Sequence, residues 1–305
     1  MALRIAIVGP GRVGIAFARQ FVHAGGHVMA VIGRDRIRTK SCLDGIQPEL
    51  DSVAAHDWAD AQLGDPSVAH VNKAHVVVFA VGDEQLESAV RSAVSCGVRR
   101  CSLWLHTSGR HSLDVFAPAL SFGVRTGSLH PLLPFSGSME PHTMQGAPAL
   151  LVGESRSMRL LNRLCAMLEL RPVSCSGHHR VLYHAACALA ANGATALFDT
   201  ALNLMQQAGG LSHKDCSLIV ASLMRAATTA SEEVGPGLAL SGPVRRGDVD
   251  TVSAHLSELS QSSPTAVPTY VALMQQALLL ARKQGLSSVE CEQLAKALLA
   301  QRTSS

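Results

Sequence analysis

The feature that most restricts what this chain can fold into is the run Gly9-Pro10-Gly11-Arg12-Val13-Gly14. Leu3-Arg4-Ile5-Ala6-Ile7-Val8 enters it as an apolar strand, and Val13 to Phe21 leaves it with apolar residues at helical spacing. Glycines so placed let the backbone turn tightly out of a strand, approach a pyrophosphate, and aim helix N-terminal N–H groups at it. In this frame Gly9, Pro10, Gly11, Arg12, Val13 and Gly14 read as a dinucleotide-binding loop. The competing reading is an ordinary tight turn between strand and helix.

Gly25-Gly26 closes that helix, and His27 to Ile32 gives a second strand, completing a βαβ unit. The chain then reads Gly33-Arg34-Asp35-Arg36-Ile37-Arg38. A carboxylate at this strand end would serve the ribose hydroxyls of NAD, whereas an arginine suits the 2′-phosphate of NADP. Arg34 directly follows the strand, so NADP (as NADPH) is the expected cofactor. NAD, held through Asp35, is the alternative. Arg36, Arg38 and Lys40 read as a solvated loop. Ser41 to Asn72 is weakly patterned, with turn signals at Asp44-Gly45 and Asp65-Pro66 and no clear core strand.

Ala74 to Val81 is a continuous, largely β-branched run, as in a parallel strand buried on both faces. Ligands of such sheets bind outside the carboxyl ends of the strands, which brings Val81 under the cofactor. Arg99 to Leu105 is a further strand ending in His106-Thr107-Ser108-Gly109, and Gly123 to Leu129 another ending in His130-Pro131. Two strands thus deliver histidines to one sheet edge. His106 is assigned to the cofactor. Ser108 and His130 are assigned to the substrate, with a helix-capping serine and structural histidines as the competing readings.

Ala147 to Val152, Arg156 to Leu170 and Arg171 to Cys175 read as strand, helix and closing strand. From His178 onward only helical periodicity remains, interrupted at Asn192-Gly193 and stopped at Gly209-Gly210. Ser212 to Asp215 and Ser287 to Glu290 resemble capping boxes, Pro268 suits a first helical turn, and Ser260 to Ser263 reads as a loop. The expected fold class is α/β plus all-α: a Rossmann-type doubly wound sheet over residues 1–176, followed by a helical domain over 177–305.

Hydrophobic residues make up 47% of the 305 and charged residues 16%, so the chain is core-forming rather than disordered. A net charge of +3 with scattered basic residues offers no nucleic-acid tract and no membrane-surface helix, but suits an anionic small molecule. No uninterrupted apolar stretch reaches spanning length, and the N-terminus lacks the pattern of a secretory signal, so a cytoplasmic protein is expected. The eight cysteines include no C-x-x-C pair, and the 14 histidines form no zinc-type cluster; His178-His179 is the nearest pairing. No metal site is expected.

Beyond Gly9 to Gly14, the chain carries His106-Thr107-Ser108-Gly109, Ser128-Leu129-His130-Pro131, Tyr183-His184-Ala185-Ala186 followed by Asn192, and Leu240 to Asp248 with its Gly-Pro-Val-x-Arg-Gly-Asp element. In this order they resemble bacterial proteins that pair a Rossmann-like domain with the domain of unknown function 2520. Those proteins belong with the 6-phosphogluconate dehydrogenase-like superfamily, which includes ketopantoate reductases and hydroxyacid dehydrogenases. The resemblance implies nicotinamide chemistry between the domains and, by analogy, a homodimer. Ketopantoate reductases carry a lysine general acid on a helix that also presents asparagines. Setting their Asn-x-x-Thr-Ala-Leu on Asn192 to Leu197 puts His184 at the lysine and Ala188 at the intermediate asparagine.

Residues 184, 188 and 192 share one face of a regular α-helix, and histidine can donate a proton near neutral pH. His184 is therefore the expected general acid, with Asn192 orienting the substrate. Packed or capping roles for Tyr183 and His184 compete with this. Arg245 or Arg246 would bind a carboxylate or form an interface ion pair, and Asp248 would cap the following helix. The expected function is an NADP-dependent oxidoreductase acting on a small carbonyl compound (2-oxo acid-like) or imine. A non-catalytic NADPH sensor and an NAD-dependent hydroxyacid dehydrogenase are the alternatives.

Overall fold

Val76, Val77 and Val78 show why the first half of the chain becomes a sheet covered on both faces. Val76 and Val78 pack with Ile5, Phe17 and Leu161 on one side, while Val77 packs with Leu86, Trp104 and Phe116 on the other. A strand with no polar face has to lie inside a two-sided sheet. The computed structural model describes residues 2–44, 54–57, 66–98, 103–135, 144–175 and 179–300. Cys101, His178 and the turn at Asp65 fall outside these.

The strands are β1 (Arg4–Val8), β2 (His27–Gly33), β3 (Ala54–Asp57), β4 (Val76–Phe79), β5 (Leu103–His106), β6 (Arg125–Pro131), β7 (Pro148–Gly153) and β8 (Arg171–Ser174). They form one sheet in the order β3-β2-β1-β4-β5-β6-β7-β8, parallel throughout except for the antiparallel pair β6 and β7. Its first six strands follow the order of the dinucleotide-binding fold, with the switch point between β1 and β4. Helices α1 (Arg12–His23) and α6 (Ser155–Met167) contribute to the core on one face, and α4 (Asp83–Ser95) and α5 (Ala117–Leu120) to the core on the other.

Compact units span Met1–Leu189 and Ala190–Ser305. The first takes in α7 (Arg180–Ala188), the opening turns of the region expected to be all-helical. The second holds α8 (Ala194–Gln207), α9 (His213–Val234), α10 (Pro236–Ala239), α11 (Val249–Ser262), α12 (Val267–Lys283) and α13 (Ser288–Ala300). Its core gathers Val244, Val252, Leu256, Val271, Ala281, Leu294 and Leu298. The fold is thus a Rossmann-type α/β sheet followed by a helical region.

The expected caps are present. Ser212 Oγ accepts from the Asp215 N–H, and Ser287 and Glu290 bond reciprocally through side chain and backbone. Pro268 lies in the first turn of α12. Four readings change. Arg36 to Lys40 is helical in α2 (Arg36–Asp44), because Asp35 Oδ1 accepts the Arg38 N–H at 2.9 Å and starts a helix there. The weakly patterned stretch contributes β3 and the short helix α3 (Pro66–Val71), β3 pairing at the sheet edge where few core residues are required. Ser260 and Ser262 are helical, each hydroxyl bonding back four residues, to the Leu256 carbonyl and to the Glu258 carboxylate. Finally, the helical run Arg180–Gln207, 28 residues, is long and apolar enough by length and composition to cross a membrane, with none of its apolar window buried. Isolated polar residues hide this from a search for uninterrupted apolar sequence.

Candidate active site

Three strand ends meet at the glycine loop. Gly9 has φ +106°, and a Cβ there would lie 2.6 Å from the Ala80 carbonyl oxygen and 2.8 Å from Val81 Cγ1. A Cβ on Gly14 would collide with the Gly9 carbonyl oxygen, whereas one on Gly11 would find only the Ala80 oxygen, at 4.0 Å. The first and last glycines are thus fixed by close backbone packing, and the middle one leaves open space before α1. Gly11 ends the loop without a side-chain cap, leaving the first N–H groups of α1 for an anion. Pro10 is half-buried, and Val13 packs against the sheet core. Arg12 is exposed and donates to the Phe135 carbonyl at 3.3 Å. The loop fits a pyrophosphate group.

The end of β2 adjoins this loop: Gly9 N–H donates to the Ile32 carbonyl at 2.8 Å, and a Cβ on Gly33 would lie 3.2 Å from Pro10 Cγ. Arg34 and Asp35 follow, both exposed. Their side chains differ in commitment. The Asp35 carboxylate caps α2, while the Arg34 side chain lies exposed beside it in sequence.

His106 needs correction. Its imidazole is fully buried and lies 5.6 Å, centroid to centroid, from the Phe116 ring, so the side chain belongs to the core beneath β5 and does not face a cofactor. Burial, then the Arg180 charge, lowers its pKa to about 3, with His111 adding to the fall and the Ser112 backbone and Asp83 opposing it. The ring is neutral. Beyond it, Ser108 Oγ accepts the N–H groups of Arg110 and His111 at 3.1 and 3.0 Å, which folds the strand-end loop and leaves the O–H as a donor.

The centre of the arrangement is Arg180, which the sequence did not mark. It opens α7 and is only 6% exposed. Its Nη2 donates to the Ser108 carbonyl at 2.5 Å and to Ser128 Oγ at 3.3 Å, and its Nε to the His111 carbonyl at 3.2 Å. One guanidinium thereby ties the loop after β5 to β6. The only signal in sequence was a charge at the start of a largely apolar helix. One turn on, Tyr183 presents its ring to the same guanidinium, 5.3 Å away, and its hydroxyl lies 2.7 Å from His130 Nδ1.

His130 and His184 meet edge to face, 6.3 Å between centroids. A Cβ on Gly109 would lie 2.8 Å from His130 Cε1 and 2.7 Å from His184 Cδ2, so both imidazoles close on the same glycine. Burial, then Arg180 and His184, lowers the His130 pKa to about 4, against a smaller opposing effect of Asp83. Burial and the Cys187 thiol raise the Tyr183 pKa, so the phenol keeps its proton. Of the predicted substrate residues, Ser108, His130 and His184 thus stand around one loop. Asn192 lies in a π turn, Leu189–Gly193, which interrupts the uniform α-helical phase needed for a face shared with His184, and it belongs to the second unit.

The Leu240 to Asp248 segment is a structural junction within the second unit. Asp248 Oδ1 accepts the Thr251 N–H at 3.0 Å and caps α11, Arg246 lies 3.9 Å from the Asp248 carboxylate, and Arg245 donates to the Gln284 carbonyl at 3.4 Å. Among the described residues, no group of three histidine, cysteine or acidic side chains stands together as a metal site.

Known structures share this architecture. A provisionally named NADP oxidoreductase from Bacteroides fragilis superposes with a TM-score of 0.66 at 18% identity, over 92% of this chain and 97% of that one. The reductive aminase of Aspergillus terreus, solved with NADPH and ethyl levulinate, gives 0.56 at 17% identity over 100% and 95%. Pyrroline-5-carboxylate reductase from Coxiella burnetii gives 0.57 at 12% identity over 99% and 98%. No curated protein matches. A Rossmann-like domain model covers residues 1–131 and the domain of unknown function 2520 covers residues 147–301. The second spans more than half of the 305 residues and takes in Arg180, Tyr183, His184 and the Leu240 to Asp248 junction; the chain belongs to the domain of unknown function 2520 family, joined to a Rossmann-like domain.

Proposed function

We propose that this protein is an NADP-dependent oxidoreductase that reduces the C=O or C=N bond of a small, anionic substrate. The observation that carries the reading is a dinucleotide loop and a cluster of proton-bearing side chains on the same carboxyl edge of one sheet. Three steps of strand spacing, about 14 Å, separate β1 from β6. A dinucleotide laid from the loop along that edge reaches toward His130. Commitment of Asp35 to capping, beside an exposed Arg34, favours a 2′-phosphate over a bare ribose. The fold is also that of an Aspergillus terreus enzyme solved with NADPH.

Bound NADPH would supply the hydride. The Ser108 hydroxyl and His130 hold the reacting group, and His184 in its charged form gives the proton that balances the hydride, yielding an alcohol or amine. Asn192 remains a candidate for orienting the substrate. Fluorescence titration should show tighter binding of NADPH than NADH, and a screen of small oxo acids and imines should reveal NADPH consumption. Binding without consumption of any of them would make the protein a sensor instead. His184→Ala should lower kcat by roughly 10²- to 10⁴-fold with NADPH affinity unchanged. Unaltered turnover would remove His184 from this role.

We also propose a homodimer built on α8 and α9. The large apolar side chains of α8 are only half-buried, and Leu218 and Leu223 on α9 are each 62% exposed, an apolar surface that water does not favour. A bilayer is the poorer cover, because Arg180 and Tyr183 anchor the start of the long helical run to the sheet unit. Residues 189–207 then carry Asn192, Asp199 and Asn203 at membrane depth.

A further inference from the structure

Tyr183 can donate its proton to His130 Nδ1 or accept one from it, and the surroundings decide between the two. Other groups facing the phenol are the Cys187 thiol, one helical turn on, and the Arg180 guanidinium against its ring. If His130 donated, the phenol's own proton would be left to a sulfur, a weak acceptor, or to solvent. If Tyr183 donates, the phenol meets an imidazole nitrogen, a far better acceptor, and the thiol can donate to the phenol oxygen. With Nδ1 committed as acceptor, the proton of the neutral ring sits on Nε2, the only ring nitrogen left to a ligand.

We infer that Tyr183 and Arg180 are positioning residues that hold His130 as a neutral Nε2–H donor, so that the substrate's reacting group is a carbonyl rather than an iminium. This rests on the oxidoreductase reading above and narrows it. A carbonyl oxygen accepts a hydrogen bond in the ground state and gathers negative charge as hydride reaches its carbon. An iminium arrives with a positive charge and an N–H donor of its own. Among the groups acting on His130, Arg180 carries a fixed positive charge and Asp83 exerts the smallest influence. The fixed positive charge of Arg180 beside this ring favours a developing alkoxide over a cation. Arg180 also fixes the Ser108 and His111 carbonyls, and with them the loop that carries the Ser108 hydroxyl. In the balanced step, the carbonyl carbon takes the hydride, the C=O π pair moves to oxygen, and His184 in its charged form protonates that oxygen.

Two measurements on the full-length protein test the inference. Imidazole nitrogen NMR of wild type, with His130→Gln to assign its signals, should show His130 as the Nε2–H tautomer near neutral pH, and Tyr183→Phe should convert it to a tautomer mixture. An Nδ1–H tautomer in wild type would overturn the assignment. NADPH consumption should be faster with ketopantoate or pyruvate than with the cyclic imine 2-methyl-1-pyrroline, and Tyr183→Phe should lower kcat about tenfold or more with little change in KM. Preferential reduction of the imine, or an unchanged kcat in Tyr183→Phe, overturns the carbonyl assignment. NADPH binding with no turnover of either substrate sinks the oxidoreductase reading and the carbonyl assignment with it, while the tautomer is still decided by NMR.

Discussion

Gly109 is the residue on which the substrate side of this site closes. It lets the imidazoles of His130 and His184 approach one backbone atom, so adding a single methyl group tests whether their spacing matters. In Gly109→Ala the new Cβ would fall under 3 Å from both rings, and at least one has to turn away. Overpacking of this kind costs about 1–3 kcal/mol. The expected result is a modest fall in Tm, a large fall in kcat, and an unchanged Kd for NADPH. A variant with full turnover would show that the paired imidazoles are not used together. His130 was legible in the sequence because it sits at a strand end beside a motif; so was His106, whose side chain is buried in the core instead. Strand register explains the difference. His106 pairs with Ser128 and packs under Phe116, whereas His130 lies two residues beyond Ser128, at the strand's end, where Tyr183 meets it. Arg180 was not legible, because its importance comes from three acceptors, two on the loop after β5 and one on β6, about 50 to 70 residues away.

At the scale of elements, α2 separates the two cofactor readings. Its start is fixed by Asp35, so Asp35→Ala should destabilise the protein by about 1 kcal/mol, the usual cost of losing an N-cap, and leave cofactor preference alone. Arg34→Ala should leave stability alone and weaken NADPH binding roughly 10- to 100-fold, the equivalent of about 1.5–3 kcal/mol for hydrogen bonds to a charged group. Parallel titrations with NADPH and NADH read both variants; a loss of NADH binding in Asp35→Ala would restore the NAD alternative. The elements themselves were largely readable. Apolar runs such as Val76 to Phe79 and capping pairs such as Ser287 with Glu290 carry their structure locally. Where reading failed, local pattern was ambiguous: Ser260 and Ser262 look like loop residues until their hydroxyls find acceptors one helical turn back. The π turn at Leu189–Gly193 has no periodic signature either, since it adds one residue to a single turn.

On the scale of the whole molecule, the exposed apolar residues of α9 and the histidines of the sheet unit make separate demands. If the face is a dimer interface, Leu218→Glu with Leu223→Glu should yield a monomer by light scattering at concentrations where wild type is a dimer. A monomeric wild type that pellets with anionic vesicles would assign the face to a bilayer instead. The histidines set the response to acid. His75, His106 and His130, all in the sheet unit, have pKa values lowered from 6.5, to about 3 for His106 and about 4 for His130. Each binds its proton less readily when folded than when unfolded. Their neutral state therefore costs nothing above pH 6.5, but below it the unfolded chain gains protons that the folded one refuses. Stability of the sheet unit should fall as pH drops from 6.5 toward 4 and 3, and level off beneath those values. In the second unit the lowered groups are the capping carboxylates Asp248 and Glu290, from 3.8 and 4.5, so their contribution is present above those values and lost only as pH falls further. Hydrogen exchange followed by segment at pH 7, 5.5 and 4.5 should show β5 and β6 losing protection first, with α11 and α13 unchanged over that range. His106→Phe, which fills the same core position beside Phe116 without a titrating group, should flatten the decline. If β5 and β6 keep their protection down to pH 4.5, these imidazoles are not what couples this fold to protons.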